Sequence, residues 1–163
     1  MPAESGFQTG TIRDMFNDAQ GTAKISGVKF QAFEVKAPNP EFEGAFRSMV
    51  KERIGGLVTE GPPLLSINRK KILQLAARHR IPAIHSEEAW ATEGGLMSYG
   101  ANVIEPYRRA AVFIDKIIKG AKPADLPVER PMKFEFVINL QAAKKIGVTV
   151  PQSVLFRADK VIQ

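Results

Sequence analysis

The chain contains no cysteine. Disulfides, thiolate metal sites and a lipidated cysteine are therefore excluded, whereas a periplasmic and a cytoplasmic location both stay open. No apolar run reaches the roughly 18 to 20 residues that span a bilayer, so no membrane insertion is expected. The first residues also lack the basic and then apolar layout of a secretion signal, which predicts a cytoplasmic protein if the start shown is the natural one.

A concentrated patch of positive charge is also missing. The chain has 23 Lys and Arg residues against 17 Asp and Glu residues, a net charge of +6, but the basic residues are scattered over its 163 positions. Nucleic-acid binding needs a basic patch, commonly with aromatic residues between the charges. The pattern instead indicates solvated helix faces, and no nucleic-acid partner is predicted. The length suits one domain, or part of a larger protein.

Motifs of the common enzyme classes are absent. Gly95 and Gly100 have the spacing of a P-loop, but the required Lys and Ser or Thr do not follow them. There is no G-x-G-x-x-G dinucleotide motif and no G-x-S-x-G nucleophile elbow. His79 and His85 lack metal-ligand spacing, and a structural role is favoured for both. We therefore predict no enzyme activity, no catalytic residue, no cofactor and no metal.

The clearest pattern in the chain runs from Gly94 to Pro131. It predicts a short strand, a glycine exit at Gly100, a long amphipathic helix and an extended return. Gly120 follows the last helical turn, as expected for a helix that ends in a left-handed residue. The apolar face of this helix is predicted to consist of Ile104, Tyr107, Ala111, Ile114 and Ile118.

The rest of the chain alternates helical and extended patterns. Helices are predicted for 11–25, after Pro40, for 67–80, for 139–147 and after Pro151, with a turn or brief helix at 87–94. Asn139 is expected to cap the fourth of these helices, which stops at Gly147. Strands are predicted for 28–35, 54–59, 81–85, 96–99 and 133–138. This alternation predicts an α/β fold with a doubly wound, mostly parallel sheet and flanking helices. We assign residues 1–102 to a ligand-binding lobe and 103–163 to a crossover helix and the elements that complete the fold.

Ligands of open parallel sheets bind outside the carboxyl ends of the strands. Glu60 or Glu87 at these ends suits an ammonium group, Tyr99 suits stacking, and Asn102 suits a carboxylate. An ordinary loop role for each residue stays open. The predicted ligand-binding residues are Glu60, Gly61, Ser86, Glu87, Ser98, Tyr99 and Asn102.

Two long segments carry a family resemblance. They read IPAIHSEEAWATEGGLMSYGAN and RRAAVFIDKIIKGAKPADLPVERPMKFEFVINLQAAKKIGVTVPQSVLFRADKVI. Together they resemble the carboxyl-terminal part of the ABC-transporter substrate-binding proteins, a periplasmic, type I-like family whose characterised relatives take up aromatic amino acids. The similarity is densest over residues 94–162 and extends more faintly to about residue 11.

This resemblance implies a single lobe of a two-lobed receptor, with most of the first lobe missing. It implies a non-catalytic protein that captures a small solute and serves an ABC permease in the periplasm. Without the first lobe, Phe113, Ile114 and Ile117 leave an apolar patch that predicts a homo-oligomer, most simply a homodimer. The alternative is a truncated, stand-alone sensory or interaction domain of the same lineage that dimerises and no longer serves transport.

Overall fold

The computed structural model describes residues 6–59, 63–102, 104–129 and 133–163, with side chains from residue 13 onward. The chain divides into two compact units, Met1–Met49 and Val50–Gln163. The strand-end residues predicted to bind a ligand therefore belong to the second unit.

The first unit contains helix α1 (Gly6–Ile25) and most of helix α2 (Phe42–Lys51). The buried side chains of α2 are Phe42, Phe46 and Met49, which recur every three or four residues and so share one helical face. Helix α1 was predicted from residue 11 and begins earlier.

The prediction of a strand over residues 28–35 is wrong. These residues have no regular secondary structure, although Phe30 packs its ring 5.3 Å from that of Phe16 in the same unit. The composition is typical of a strand, but a strand forms only where a neighbouring strand pairs with it, and no described strand pairs with this segment.

The second unit holds a five-stranded sheet with flanking helices. Its strands are β1 (Leu57–Thr59), β2 (Ala83–His85), β3 (Met97–Ala101), β4 (Phe134–Asn139) and β5 (Lys160–Ile162). Its helices are α3 (Pro63–Ile67), α4 (Arg69–His79), α5 (Glu88–Thr92), α6 (Ile104–Ile118), α7 (Leu140–Ile146) and α8 (Gln152–Leu155), with a 3₁₀ turn at Pro123–Asp125. The predicted α/β class with a mostly parallel sheet is confirmed. The short strand β5 and the short helix α3 were not predicted.

The strands lie in the order β1-β2-β3-β4-β5, and every neighbouring pair is parallel except β3 with β4. This exception follows from the path of the chain. The segment with α6 leaves the carboxyl end of β3 and returns to the same edge of the sheet, since Ala101 pairs with Phe134. Strand β4 therefore starts where β1, β2 and β3 end, at what we call the strand-end edge.

One face of the sheet packs against α4, α5 and α7. A small cavity between this face and the helices is lined by Leu73 of α4, Ala83 of β2 and Ile146 of α7. Leu96 forms a buried cluster with Ala143 and Ile146. The opposite face carries Val58, Tyr99 and Phe134, whose side chains stay more than half exposed.

Asn139, the last residue of β4, is hydrogen-bonded to two helices, and its predicted capping role is confirmed. Its side-chain oxygen accepts a hydrogen bond from the backbone N–H of Ala142 at 2.9 Å, which caps α7. Its side-chain nitrogen donates to the carbonyl of Ala91 in α5, also at 2.9 Å. Gly147 ends α7, as predicted, and it does so in the left-handed conformation.

Candidate functional site

Two of the predicted ligand-binding residues, Glu60 and Gly61, lie outside the described residues. The others lie at or just beneath the strand-end edge. They occupy three environments: the loop after β2, the two faces of β3, and the start of α6.

The loop after β2 carries Ser86 and Glu87, both half-buried. Glu87 has an extended backbone and precedes the first residue of α5. One oxygen of its carboxylate accepts a 3.5 Å hydrogen bond from the hydroxyl of Ser66. The next residue, Glu88, turns away and pairs with Lys160 at 2.7 Å. The two adjacent carboxylates therefore diverge, as expected for a helix start, and form no acid–base dyad.

Strand β3 approaches this loop closely at Gly100. A Cβ atom on Gly100 would lie 1.8 Å from the carbonyl oxygen of Ser86. Only glycine fits at such a distance, since this is far inside van der Waals contact. Gly100 therefore brings the ends of β2 and β3 together.

Ser98 and Tyr99 point to opposite faces of the sheet because successive side chains of a strand alternate. Tyr99 is 56% exposed and stacks on Phe134 with ring centroids 5.7 Å apart. Phe136 meets the same ring edge-on at 6.2 Å. Tyr99 thus offers an exposed aromatic surface that two neighbouring rings hold in position.

Ser98 is buried on the helix-covered face, where it aligns with His85 of β2. Thr59 of β1 aligns with His85 on the other side, and its hydroxyl is hydrogen-bonded to Nδ1 of that ring. We call Thr59, His85 and Ser98 the polar row. Ser98 therefore lies below the strand-end edge and not on its surface.

The ring of His85 stacks almost parallel on the indole of Trp90, with centroids 4.3 Å apart and an 11° angle between the planes. The guanidinium of Arg69 lies over the same indole, 5.9 Å from its centroid, and is paired with Glu93. Burial lowers the pKa of His85 from 6.5 to about 4, because the charged imidazolium would lose its hydration. His85 is therefore neutral near pH 7, and its structural role agrees with the interpretation favoured from the sequence.

Asn102 caps the amino-terminal end of α6. Its side-chain oxygen accepts hydrogen bonds from the backbone N–H groups of Ile104 at 2.8 Å and Glu105 at 3.1 Å. Its side-chain nitrogen donates to the carboxylate of Glu135 at 2.8 Å. The hydrogen bond from Asn102, and a second one from Lys133, hold the pKa of Glu135 below its usual value. Asn102 thus caps α6, whereas the sequence predicted a contact with a ligand carboxylate for this residue.

A cavity of about 730 Å³ opens beside Asn102, between the first turns of α6 and the return to β4. Arg109 and Glu129 face each other there as a bidentate ion pair, and the Arg109 guanidinium lies 5.6 Å from the ring of Phe113. The cavity volume is in the range that small-molecule sites occupy. Its lining residues are Asn102, Ile104, Glu105, Pro106, Arg108, Arg109, Ala110, Phe113, Glu129 and Lys133.

The side chains at the strand-end edge offer stacking, hydrogen bonding and carboxylate charge. Within the described ranges, no three His, Asp or Glu side chains are grouped so that they could hold a metal ion. None of the helices in the described part of the chain is both long and apolar enough to cross a membrane.

The family model of the ABC transporter substrate binding proteins matches residues 12–162. The chain therefore belongs to this family of solute-binding proteins, and the resemblance read from the sequence is confirmed. No curated protein is significantly similar to the chain in sequence.

Solved structures share the fold. An ABC domain from Streptococcus pneumonia in complex with L-Trp is 25% identical, with a TM-score of 0.79 over 92% of this chain. A conserved domain protein from Vibrio cholerae O1 biovar El Tor is 20% identical, with a TM-score of 0.78 over 92% of this chain. The ligand-free, open structure of a substrate binding protein with adhesive properties from Clostridium difficile is 19% identical, with a TM-score of 0.66 over 94%. This chain covers 50% of each of these three chains.

Proposed function

We propose that this chain is a solute-binding component of an ABC importer, which captures a small molecule at the strand-end edge without catalysing a reaction. The observation that carries the proposal is the exposed ring of Tyr99, held by Phe134 and Phe136 at the edge where three strands end. An aromatic side chain is usually exposed in this fixed way where it meets a partner. The family assignment supports the same role.

An amino acid, and in particular an aromatic one, is the solute that we propose. Tyr99 would stack on its side chain, and Glu87, whose oxygen is bonded only weakly to Ser66, would pair with its ammonium group. Ser86 lies in the same loop as Glu87, and Glu60 and Gly61 would complete the set of residues that contact the solute. Ser98 lies beneath these residues in the interior, and Asn102 lies beside them at the start of α6. The L-Trp complex of the structural relative supports the choice of solute class.

The proposed macromolecular partner is an ABC permease, and the proposed location is the periplasm. Both follow from the family, whose members deliver solutes to a membrane transporter. In binding proteins of this kind, closure around the solute excludes water and creates the shape that the permease recognises. Because this chain covers half of its structural relatives, a second half would contribute the opposing wall of such a site.

A second candidate function is favoured by α6. None of its described residues is buried, and Ile104, Tyr107, Ile114 and Ile118 are each more than half exposed. An apolar helical face of this size usually associates with another surface. We propose that two copies of the chain cover it for each other, as in a dimeric sensory or interaction domain that no longer serves transport. Light scattering that finds a monomer at tens of micromolar would contradict this alternative.

A thermal-shift panel of amino acids, short peptides and small organic acids tests the first proposal. A solute present at about one hundred times its dissociation constant stabilises the folded chain by about 2.7 kcal/mol. For a protein of this size the unfolding midpoint then rises by about 5–10 °C. We expect aromatic amino acids to give the largest rise. A panel in which every solute leaves the midpoint unchanged contradicts solute binding by this chain.

A further inference from the structure

Among the described residues, two buried side-chain polar atoms below the strand-end edge have no hydrogen-bond partner. They are Nε2 of His85 and the hydroxyl oxygen of Ser98, on side chains that are 2% and 1% exposed. Buried polar atoms are almost always hydrogen-bonded, to protein or to ordered water. Because the two atoms belong to paired residues of neighbouring strands, one partner can serve both.

The alignment of the strands brings these atoms together. His85 and Ser98 are direct partners in the parallel pair β2–β3, so their side chains leave the same face of the sheet about 4.8 Å apart at the backbone. Nδ1 of His85 is engaged by Thr59 on the β1 side. The two ring nitrogens point in nearly opposite directions, so Nε2 lies on the side of the ring away from β1, towards Ser98.

We propose that one internal water molecule bridges Nε2 of His85 and the hydroxyl of Ser98, beneath the indole of Trp90. A cavity of about 20 Å³, which is about the room that one water molecule needs, borders the ring of His85 and Leu96, the residue two positions before Ser98 on the same face. The stacked indole closes the ring off from solvent.

The chemistry of the two groups suits water better than an ion. At neutral pH the imidazole is uncharged, with one nitrogen as donor and the other as acceptor. Water donates and accepts, as the serine hydroxyl does, so it satisfies either tautomer of the ring. A cation would need carboxylates, and the polar row contains none.

This water molecule would link β2 to β3 directly below the strand-end edge. Thr59, His85 and Ser98 each immediately precede an edge residue, and Ser86 and Tyr99 follow the two members that share the water. The bridge therefore fixes the spacing of the loop after β2 and the end of β3. It goes beyond solute binding, and its existence can be tested without any ligand.

Oxygen-17 magnetic relaxation dispersion counts the long-lived internal water molecules of a protein in solution. We expect the unliganded wild-type chain to hold one more such molecule than Ser98→Ala, in which the bridge loses one of its two anchors. Ser153→Ala is the matched control because Ser153 is exposed in α8, and it should retain the wild-type count. Equal counts in wild type and Ser98→Ala would overturn the proposal.

A crystal structure of the wild-type chain provides a second test, which does not depend on whether Ser98→Ala folds. That structure should show a water molecule within hydrogen-bond distance of both Nε2 and the Ser98 hydroxyl. A direct hydrogen bond between the two side chains, or a different protein partner for either atom, would show that the proposal is wrong.

Discussion

The carbonyl oxygen of Ser86 lies 1.8 Å from the position that a Cβ atom on Gly100 would occupy. The two residues are fourteen positions apart in the chain, and their contact sets the distance between the ends of β2 and β3. Because the loop after β2 and the exposed Tyr99 flank this contact, the spacing of the candidate site depends on a glycine.

Gly100→Ala should lower the free energy of unfolding by about 2–3 kcal/mol or more, because the new methyl group overlaps a backbone atom and the strands must separate. Urea denaturation measures the loss. Gly55→Ala is the control, since a Cβ atom there meets nothing within 4 Å. A Gly100→Ala variant as stable as Gly55→Ala would contradict the close approach of the two strands.

The burial of His85 predicts an acid-sensitive stability. Its pKa is about 4 in the folded chain and 6.5 when unfolded, so between these values the unfolded state binds more protons and stability falls as pH falls. From pH 7.5 to pH 5 the loss should be about 2 kcal/mol. Above pH 6.5 the His85 contribution is complete and constant.

Denaturation curves at several pH values for wild type and His85→Gln check this dependence. The variant differs from wild type at this one side chain, so the difference between the two proteins isolates His85. An identical slope of stability against pH in both proteins would contradict a buried, neutral His85.

The two capping asparagines should differ in their effect on stability. Asn139→Ala removes the cap of α7 and a buried hydrogen bond to the carbonyl of Ala91, which keeps only its bond from the backbone N–H of Gly94, so a loss of about 2 kcal/mol is expected. Asn102→Ala removes the exposed cap of α6 and a partly buried hydrogen bond to Glu135, which together should cost about 1 kcal/mol. Similar losses for both variants, measured by urea denaturation, would show that the contact with Ala91 adds nothing.

Much of the second unit could be predicted from the sequence because its patterns are local. The capping role of Asn139, the end of α7 at Gly147 and the amphipathic helix after Gly100 each depend on residues a few positions apart. The position of the strand-end edge follows from the order of strands and helices. The family resemblance supported the same location for the ligand site.

Other features depend on contacts that no local pattern contains. The polar row exists only because Thr59, His85 and Ser98 align across three strands. The register of these strands cannot be predicted from the sequence. The role of Trp90 as a cover for His85 was missed for the same reason. Residues 28–35 have the composition of a strand but no pairing partner, and the antiparallel β4 depends on where α6 returns the chain.

The exposed face of α6 predicts the behaviour of a variant. If two copies cover this face for each other, light scattering should give 35.8 kDa, twice the 17.9 kDa of one chain. Ile114→Glu should shift the mass to that of the monomer, because a carboxylate would then be buried in the interface. Val128→Glu is the control, since Val128 is 98% exposed and lies outside the helix. A wild-type monomer, or a dimer that persists in Ile114→Glu, argues against this interface.

The central claim is that a small solute binds at the strand-end edge against Tyr99. Isothermal titration calorimetry with the solute that most stabilises the chain tests it, using wild type, Tyr99→Ala and Tyr107→Ala. These are the two tyrosines of the chain, and both are exposed, Tyr107 on α6. We predict that Tyr99→Ala weakens binding at least about tenfold, a loss of about 1.4 kcal/mol, while Tyr107→Ala keeps the wild-type affinity. Equal affinities of wild type and Tyr99→Ala would contradict the proposed site.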